Sequence, residues 1–396
     1  MKVLILGAGA QGCAVAFDLC RRSEISSVTL ADVEIDELPA FLDPFRGDRL
    51  TAGTLDARDE GTLADAMEGM DAVASALPHQ FNLVAARLAV EAGAHFCDLG
   101  GETAIVEEQR ELDGAARDAG VSVIPDCGLA PGLVNILAQA GIDSLDETEA
   151  VRIWVGGIPR HPKPPLNYGV VFSLEGVLNN YSTDALVLEE GELKRVPALS
   201  GVEILEFPEP AGELEGFYTG GGISTLPLRH EGRIRTMSYK TLRYPGHAAI
   251  MRAIRDLGLL DTVPVEVRAA EGEGIGEGRS EGVARIVPRD VFVDLAGPRL
   301  RDPSRKDLVV ARVSVRGMKD GMEKTIRWDL MDHYDDELEM TAMMRVTGFS
   351  LAVTALMQLD GRIDVTGVRT PDECVPVDPF LGALAERGVH VERTDY

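Results

Sequence analysis

Basic residues are scarce in this 396-residue chain, where 39 Lys and Arg stand against 65 Asp and Glu and the formal net charge is −26. A surface of that sign repels phosphate backbones, which excludes nucleic-acid binding as a general function. Cysteine is sparse as well. Cys13, Cys20, Cys97, Cys127 and Cys374 are scattered without a CxxC pair, so neither a disulfide framework nor a zinc site is expected, and no metal is. No apolar run approaches the roughly 18 residues of a membrane span. Lysine is the rarest charged residue, 7 against 32 Arg, a bias that fits a salt-rich cytoplasm or a GC-rich genome equally. With 45% apolar and 26% charged residues the composition is that of a globular protein of two or three domains. A soluble, cytoplasmic protein is expected. The opening MKVLILGAGAQGCAVA has the charge and apolar run of a signal peptide, but that reading leaves its glycines unexplained.

From the first residue to about 125, apolar β-rich runs alternate with amphipathic stretches, the pattern of a parallel sheet covered on both faces. Strands are predicted over 2–6, 27–31, 49–54, 71–76, 95–98 and 121–125. Helices are predicted over 11–22, 37–45, 60–67, 81–92 and 104–119. Within the last of these, Ile105, Val106, Gln109, Leu112, Ala115 and Ala116 form one stripe. The expected fold class is α/β, a doubly wound (Rossmann) sheet over 1–132. Beyond it the pattern becomes α+β: a turn-rich segment over 126–132, a helix over 133–140, a strand over 150–156, and a hairpin pairing 308–316 with 324–330 around Asp320 and Gly321. The Gly- and Glu-rich stretch 271–282 reads as an exposed loop. An almost uniformly apolar helix over 342–359 must be buried between layers. The chain thus divides into 1–132, the doubly wound domain, 133–341, an α+β domain, and 342–396, a helix and tail returning to the first domain.

Gly7, Gly9 and Gly12 form a GxGxxG motif between a strand and a helix, the context that gives this pattern its meaning. The first glycine makes the turn, the second admits a pyrophosphate, and the third permits close packing. Ala10 and Gln11 open the helix, whose free N–H groups and dipole favour an anion. About twenty residues further on, Asp32 ends the second strand, placed to accept from the adenosine ribose and to repel a 2′-phosphate. The cofactor expected is therefore NAD. At later strand ends stand Asp56, then Ala76, Leu77 and Pro78, then Asp98, Leu99 and Gly100. Asp56 is a candidate adenine contact or a helix N-cap, and Leu77–Pro78 a cofactor contact or a plain turn. Asp126 could orient substrate or cap the helix behind Pro131, which suits a first helical turn. Cys127 reads as packing.

Several motifs in order resemble one family: GAGAQG with Asp32, CDLGGE from Cys97, PDCGLAPGLVN from Pro125, VGGIP from Val155, FSLEG from Phe172, GGISTL from Gly221 and YKTLRYPGH from Tyr239. Together they look like the saccharopine dehydrogenase (reductase) family, nearest to its lysine 6-dehydrogenase branch, over residues 1 to about 380. The resemblance implies oxidation of the ε-amine of L-lysine with NAD, giving ammonia and 2-aminoadipate 6-semialdehyde, which cyclises. It also implies homodimers built through the second domain's sheet, or larger assemblies.

Read against that chemistry, Arg243 can grip a carboxylate with two hydrogen bonds, or be an exposed residue beside a turn. Glu175, Tyr168 and Asp98 are candidate partners for ammonium groups, with Glu175 alternatively a helix cap. An amine of pKa ~10.4 must lose a proton before hydride can leave. His247 is the base suggested by residue type, with His79 second. Thr225 could line the pocket or cap a turn. Two other readings remain: a reductase joining an amine and an aldehyde with NAD(P)H, and a non-catalytic dinucleotide sensor.

Overall fold

Buried, β-branched runs followed by amphipathic stretches fold here as their periodicity requires. The computed structural model describes every residue except 36, 171–173, 269–282, 302, 303 and 305. β1 (Lys2–Leu6), buried at four of its five positions, turns into α1 (Ala10–Cys20) and then β2 (Ser27–Asp32). There follow β3 (Leu50–Thr54), α2 (Glu60–Met67), β4 (Ala72–Ser75), α3 (Asn82–Glu91), β5 (His95–Asp98), α4 (Thr103–Arg110), α5 (Asp113–Asp118) and β6 (Ser122–Ile124). These strands pair in parallel in the order β6-β5-β4-β1-β2-β3. The order reverses between β1 and β4, which opens the crevice where ligands bind in such sheets. Two expected helices differ. The 104–119 stretch breaks into α4 and α5, and 37–45 yields only a 3-10 turn, Ala40–Phe45, with Pro44 inside it and so one N–H fewer.

The second domain begins with α6 (Leu133–Asp143) and the long β7 (Glu147–Pro159). Next come α7 (Leu174–Ser182), β8 (Ala185–Glu189), β9 (Glu192–Val196), β10 (Glu203–Glu206), β11 (Glu213–Tyr218), α8 (Leu226–His230), β12 (Thr236–Arg243) and α9 (His247–Asp256). A two-stranded sheet of β13 (Val265–Arg268) and β14 (Val283–Ile286) precedes α10 (Pro288–Leu300). The expected hairpin is present as β15 (Asp307–Lys319) and β16 (Met322–His333), with Asp320 at φ 51 and Gly321 at φ 75 supplying the left-handed turn. The main sheet runs β10-β11-β12-β7-β15-β16, mixed because β12 and β7 are parallel. The 271–282 stretch lies outside the described residues.

The apolar segment near the end becomes α11 (Phe349–Leu359), buried from Phe349 to Gln358 and packed on α1, β4 and β5. Gln358 Nε2 anchors it by donating to the Phe96 and Ser122 carbonyls, 3.1 Å each. The tail that follows stays with the first domain, as expected, only in part. β17 (Gly367–Val368) joins the first sheet beside β6, and α12 (Pro371–Cys374) and α13 (Val377–Ala385) lead to β18 (Val391–Asp395), which pairs with β16. Each addition covers an otherwise unpaired strand edge. Among the described residues, no helix is long and apolar enough to cross a membrane.

Candidate active site

The glycine turn separates what the fold demands from what it leaves open. Gly7 sits at φ +97, and a Cβ there would lie 2.8 Å from the Ala76 carbonyl oxygen; one on Gly12 would lie 1.7 Å from that of Gly7. Gly9 would meet nothing within 4 Å, and Gly9 and Ala10 are exposed. The first turn of α1 has no side-chain cap and no acidic residue. Backbone donors with no partner among the described residues, beside a glycine whose missing side chain keeps only outside space clear, form a cradle that fits a diphosphate. Asp32 is half-buried, its Oδ2 accepting from Ala8 N at 2.6 Å and Oδ1 from Val33 N at 2.7 Å. It thereby braces the turn while standing at the end of β2.

Further along the strand ends, Asp56 is held by Arg58, whose Nη2 donates to Oδ2 at 2.7 Å, and these hydrogen bonds lower its carboxyl pKa to about 2. The N-cap alternative for Asp56 is overturned, because Asp59 caps α2 by accepting from Gly61 and Thr62 N. Ala76, Leu77 and Pro78 lie just beyond β4, and His79 opens a half-buried 3-10 turn.

Beyond β5 and β6 two carboxylates are buried together. Asp98 Oδ1 accepts from Gly100 N at 2.7 Å and Asp126 N at 3.3 Å, and Oδ2 from Gln109 Nε2 at 2.8 Å. Burial outweighs these bonds and raises its pKa to about 6. Asp98 is thus a brace beneath the turn, engaged on both oxygens, rather than a partner for a substrate ammonium. Asp126 sits at φ 65, and a Cβ on Gly100 would lie 1.8 Å from its Oδ1. Its Oδ1 accepts from Gly101 N at 3.4 Å, whereas the buried Oδ2 has no partner among the described residues. Burial lifts this carboxyl to about 7, Asp98 adding to the rise and the Ser224 side chain opposing it. Asp126 caps no helix. α6 begins at Leu133 with Gly132 as N-cap, so Pro131 falls outside it.

The second cluster is built at the end of β12. α9 begins behind Gly246, at φ 94, and Glu215 from β11 caps it by accepting from Gly246 N at 2.9 Å and Ala248 N at 2.5 Å. This fixes the turn after Arg243. The guanidinium, 4% exposed, donates from Nε to Tyr181 Oη at 3.1 Å and from Nη1 to the Leu242 carbonyl at 2.8 Å. It lies 4.6 Å from the centroid of the Tyr168 ring. Arg243 makes no ion pair among the described residues. The alternative of an exposed residue beside a turn is overturned.

His247 is also buried. Its Nδ1 meets the Leu166 carbonyl at 3.0 Å and its Nε2 meets Tyr181 Oη at 2.9 Å. A carbonyl only accepts, so Nδ1 carries the proton and Nε2 receives the Tyr181 hydroxyl. Burial, then Arg243, hold its pKa down to about 3. With its lone pair engaged by the Tyr181 hydroxyl, His247 has no nitrogen open in this arrangement for the role of base expected of it. Glu175 is exposed on the first turn of α7, away from this cluster. Thr225 is buried at the N-cap position of α8, yet makes no capping bond.

One strip of backbone connects the two clusters. A Cβ on Gly221 would lie 3.2 Å from the Gly101 carbonyl oxygen and 3.4 Å from Asn180 Oδ1. Asn135 Nδ2 donates to the Ile223 carbonyl at 3.1 Å. The glycine-rich strip therefore seats on the turn holding Asp126, and α7 supplies both Asn180 there and, one residue on, Tyr181 at Arg243. Among the described residues no group of three or more His, Cys, Asp or Glu could hold a metal ion.

Comparison with known proteins agrees with this two-part construction. The saccharopine dehydrogenase NADP binding domain model matches residues 3–124, and the saccharopine dehydrogenase C-terminal domain model matches 128–389. This chain belongs to the saccharopine dehydrogenase family. The mitochondrial alpha-aminoadipic semialdehyde synthase of Mus musculus is 26% identical over 98% of this chain and 47% of its own length, so the chain spans about half of that relative. Saccharopine dehydrogenase (NADP(+), L-glutamate-forming) of Schizosaccharomyces pombe is 22% identical over 99% of this chain and 98% of its own. The apo saccharopine dehydrogenase (L-Glu forming) from Saccharomyces cerevisiae superposes with a TM-score of 0.79 at 21% identity, covering 100% of this chain and 99% of that one. At that identity the likeness establishes the fold.

Several residues of this family member's site escape sequence reasoning. Tyr181 and Glu215 lie in segments without a motif, and Ser224 adjoins the Thr225 singled out. Two of them carried a signal: Ser224 lies within the GGISTL motif, and Gln109 is a polar residue on an apolar helical stripe.

Proposed function

We propose that the chain is an NAD-dependent oxidoreductase acting on a CH–NH donor, which oxidatively removes the ε-amine of L-lysine. The observation that carries this reading is the buried Arg243, a cation with hydrogen-bond partners but no counter-ion among the described residues. A buried charge left without its opposite is costly, and an amino-acid carboxylate is the ligand that would complete it. The dinucleotide, when bound, supplies the hydride acceptor; the backbone N–H groups of Gly9, Ala10 and Gln11 would hold its diphosphate. The matching domain model and the Schizosaccharomyces pombe relative's name specify NADP, and NAD is proposed here because the Asp32 carboxylate would repel a 2′-phosphate.

The substrate ε-ammonium must first become an amine. His247 and His79 are the bases expected by residue type, but His247 has no free nitrogen, whereas Asp126, expected to orient substrate, has a carboxylate oxygen without a partner among the described residues and a pKa of about 7. Asp126 is proposed to take that proton. Arg243 anchors the far carboxylate so that the chain of the amino acid extends toward the Asp126 turn. Loss of hydride from the ε-carbon leaves an imine, which water hydrolyses to aldehyde and ammonium. The balance is one lysine, one NAD+ and one water to semialdehyde, ammonium, NADH and a proton.

The names of the relatives support a second reading, reductive joining of an amine and an aldehyde. Lysine with NAD tests the choice: reduced dinucleotide and ammonia must form together in equal amounts. Consumption of NADPH only when an amine and an aldehyde are both supplied would replace the first reading with the second.

A further inference from the structure

The segment entering α11 leaves α-helical geometry: Met344–Gly348 is a π-helical turn, a distortion that concentrates at functional sites because it redirects side chains. It is pressed onto the start of α1, where a Cβ on Gly348 would lie 2.7 Å from Ala14 Cβ and 3.1 Å from the Gln11 carbonyl oxygen. Met344, Arg345, Val346 and Gly348 are buried, while Thr347 is partly exposed. The Thr347 methyl lies 3.5 Å, and Leu99 Cδ2 3.6 Å, from the place a Cβ on Gly128 would take. Thr347 therefore stands where the start of α1, the turn after β5 and the turn after β6 converge.

Its chemistry is unfinished. The hydroxyl donates to Met343 Sδ at 3.3 Å, a weak acceptor, and its oxygen accepts from none of the described residues. Gln11 Oε1, 3.6 Å from the same Gly348 position, is buried and has no partner among the described residues. Two unfilled acceptors thus flank Gly348. A primary carboxamide carries two N–H donors on one nitrogen. With the diphosphate at α1 and the adenosine directed to Asp32, the other half of the dinucleotide must run the opposite way, across β4 to β6.

We propose that Thr347, seconded by Gln11, recognises the carboxamide of the nicotinamide ring. This rests on the dinucleotide reading above, and the test separates the two. The full chain is titrated calorimetrically with NAD+, ADP-ribose and 3-acetylpyridine adenine dinucleotide, whose methyl ketone lacks the N–H donors. Thr347→Val is expected to weaken NAD+ about tenfold, the loss of one hydrogen bond in a dry site, and to leave the other two ligands unchanged. Thr347→Ser restores NAD+. Gln11→Met gives the same selective pattern and serves if Thr347→Val fails to fold. NAD+ affinity unchanged in the folded variants, or an equal loss for ADP-ribose, overturns the proposal while the dinucleotide reading stands. A wild-type chain that binds neither NAD+ nor ADP-ribose overturns both.

Discussion

Arg243→Met divides two quantities that usually fall together, stability and substrate recognition. In the free protein the guanidinium is buried with a tyrosine hydroxyl, a backbone carbonyl and an aromatic face around it, and with no acid paired to it among the described residues. Methionine fills similar volume. It forfeits two hydrogen bonds of ~1 kcal/mol each and a cation–π contact of up to ~2 kcal/mol. Against this it removes a buried, uncompensated charge whose desolvation costs several kcal/mol. The melting temperature without substrate will therefore hold or rise. Substrate recognition moves the other way. Breaking a desolvated carboxylate–guanidinium pair costs about 3 kcal/mol, within the usual 2–5 range. At ~1.36 kcal/mol per factor of ten, kcat/KM for lysine falls about 150-fold. Pentane-1,5-diamine presents the same amine without a carboxylate, so its rate with NAD will be nearly indifferent to the change. Initial rates with both amines and thermal melts of the free proteins decide the matter. A variant that loses stability while keeping its lysine KM, or loses both amines equally, refutes the carboxylate argument and leaves Arg243 a packing residue.

Four other outcomes are expected. Asp126 has a folded pKa of about 7, above its ordinary 3.8, so its burial destabilises increasingly as pH rises from about 4 through 7. Asp126→Asn will accordingly raise the melting temperature more at pH 8 than at pH 5, and abolish lysine turnover; a pH-independent difference contradicts the burial. His247, with a folded value of about 3 below its ordinary 6.5, contributes stability that is complete above 6.5 and drains away as pH falls toward 3. His247→Gln will raise the lysine KM with the pH limb of kcat intact, whereas disappearance of a limb near pH 6–7 makes it the base after all. Gly9→Val will fold normally yet lose NAD, because a side chain there meets only open space, while Gly12→Ala will lower the melting temperature through its collision with Gly7. Asp32→Ser will weaken NAD and improve NADP; parallel losses for both mean that Asp32 only braces the turn.

Sequence reading succeeded where the determining contacts are near in the chain. Gly7 and Gly12 answer to atoms of the same turn and of the neighbouring strand end. Asp320 and Gly321 set a left-handed turn by their own backbone preference. Alternating apolar runs dictated the parallel sheet because any strand covered on both faces must be apolar along its length. Other readings turned on contacts distant in the chain. His247 was an attractive base by residue type, and only its enclosure by Leu166, Tyr181 and Arg243 shows its lone pair engaged. Asp98 stands at the expected strand end, yet Gln109 and the Asp126 backbone turn it inward. Glu215 caps α9 from another strand, and β18 returns to β16 from the far end of the chain; neither leaves a local pattern.

Local backbone conformation, the parallel sheet near the amino end and the glycine turn were thus written in the sequence, because they follow from φ preferences and the period of apolar burial over a few residues. The state of each polar group in the site was decided only by tertiary structure. Whether a carboxyl is charged, a guanidinium partnered or an imidazole free depends on which distant atoms exclude water from it, and those meet only when the chain has folded.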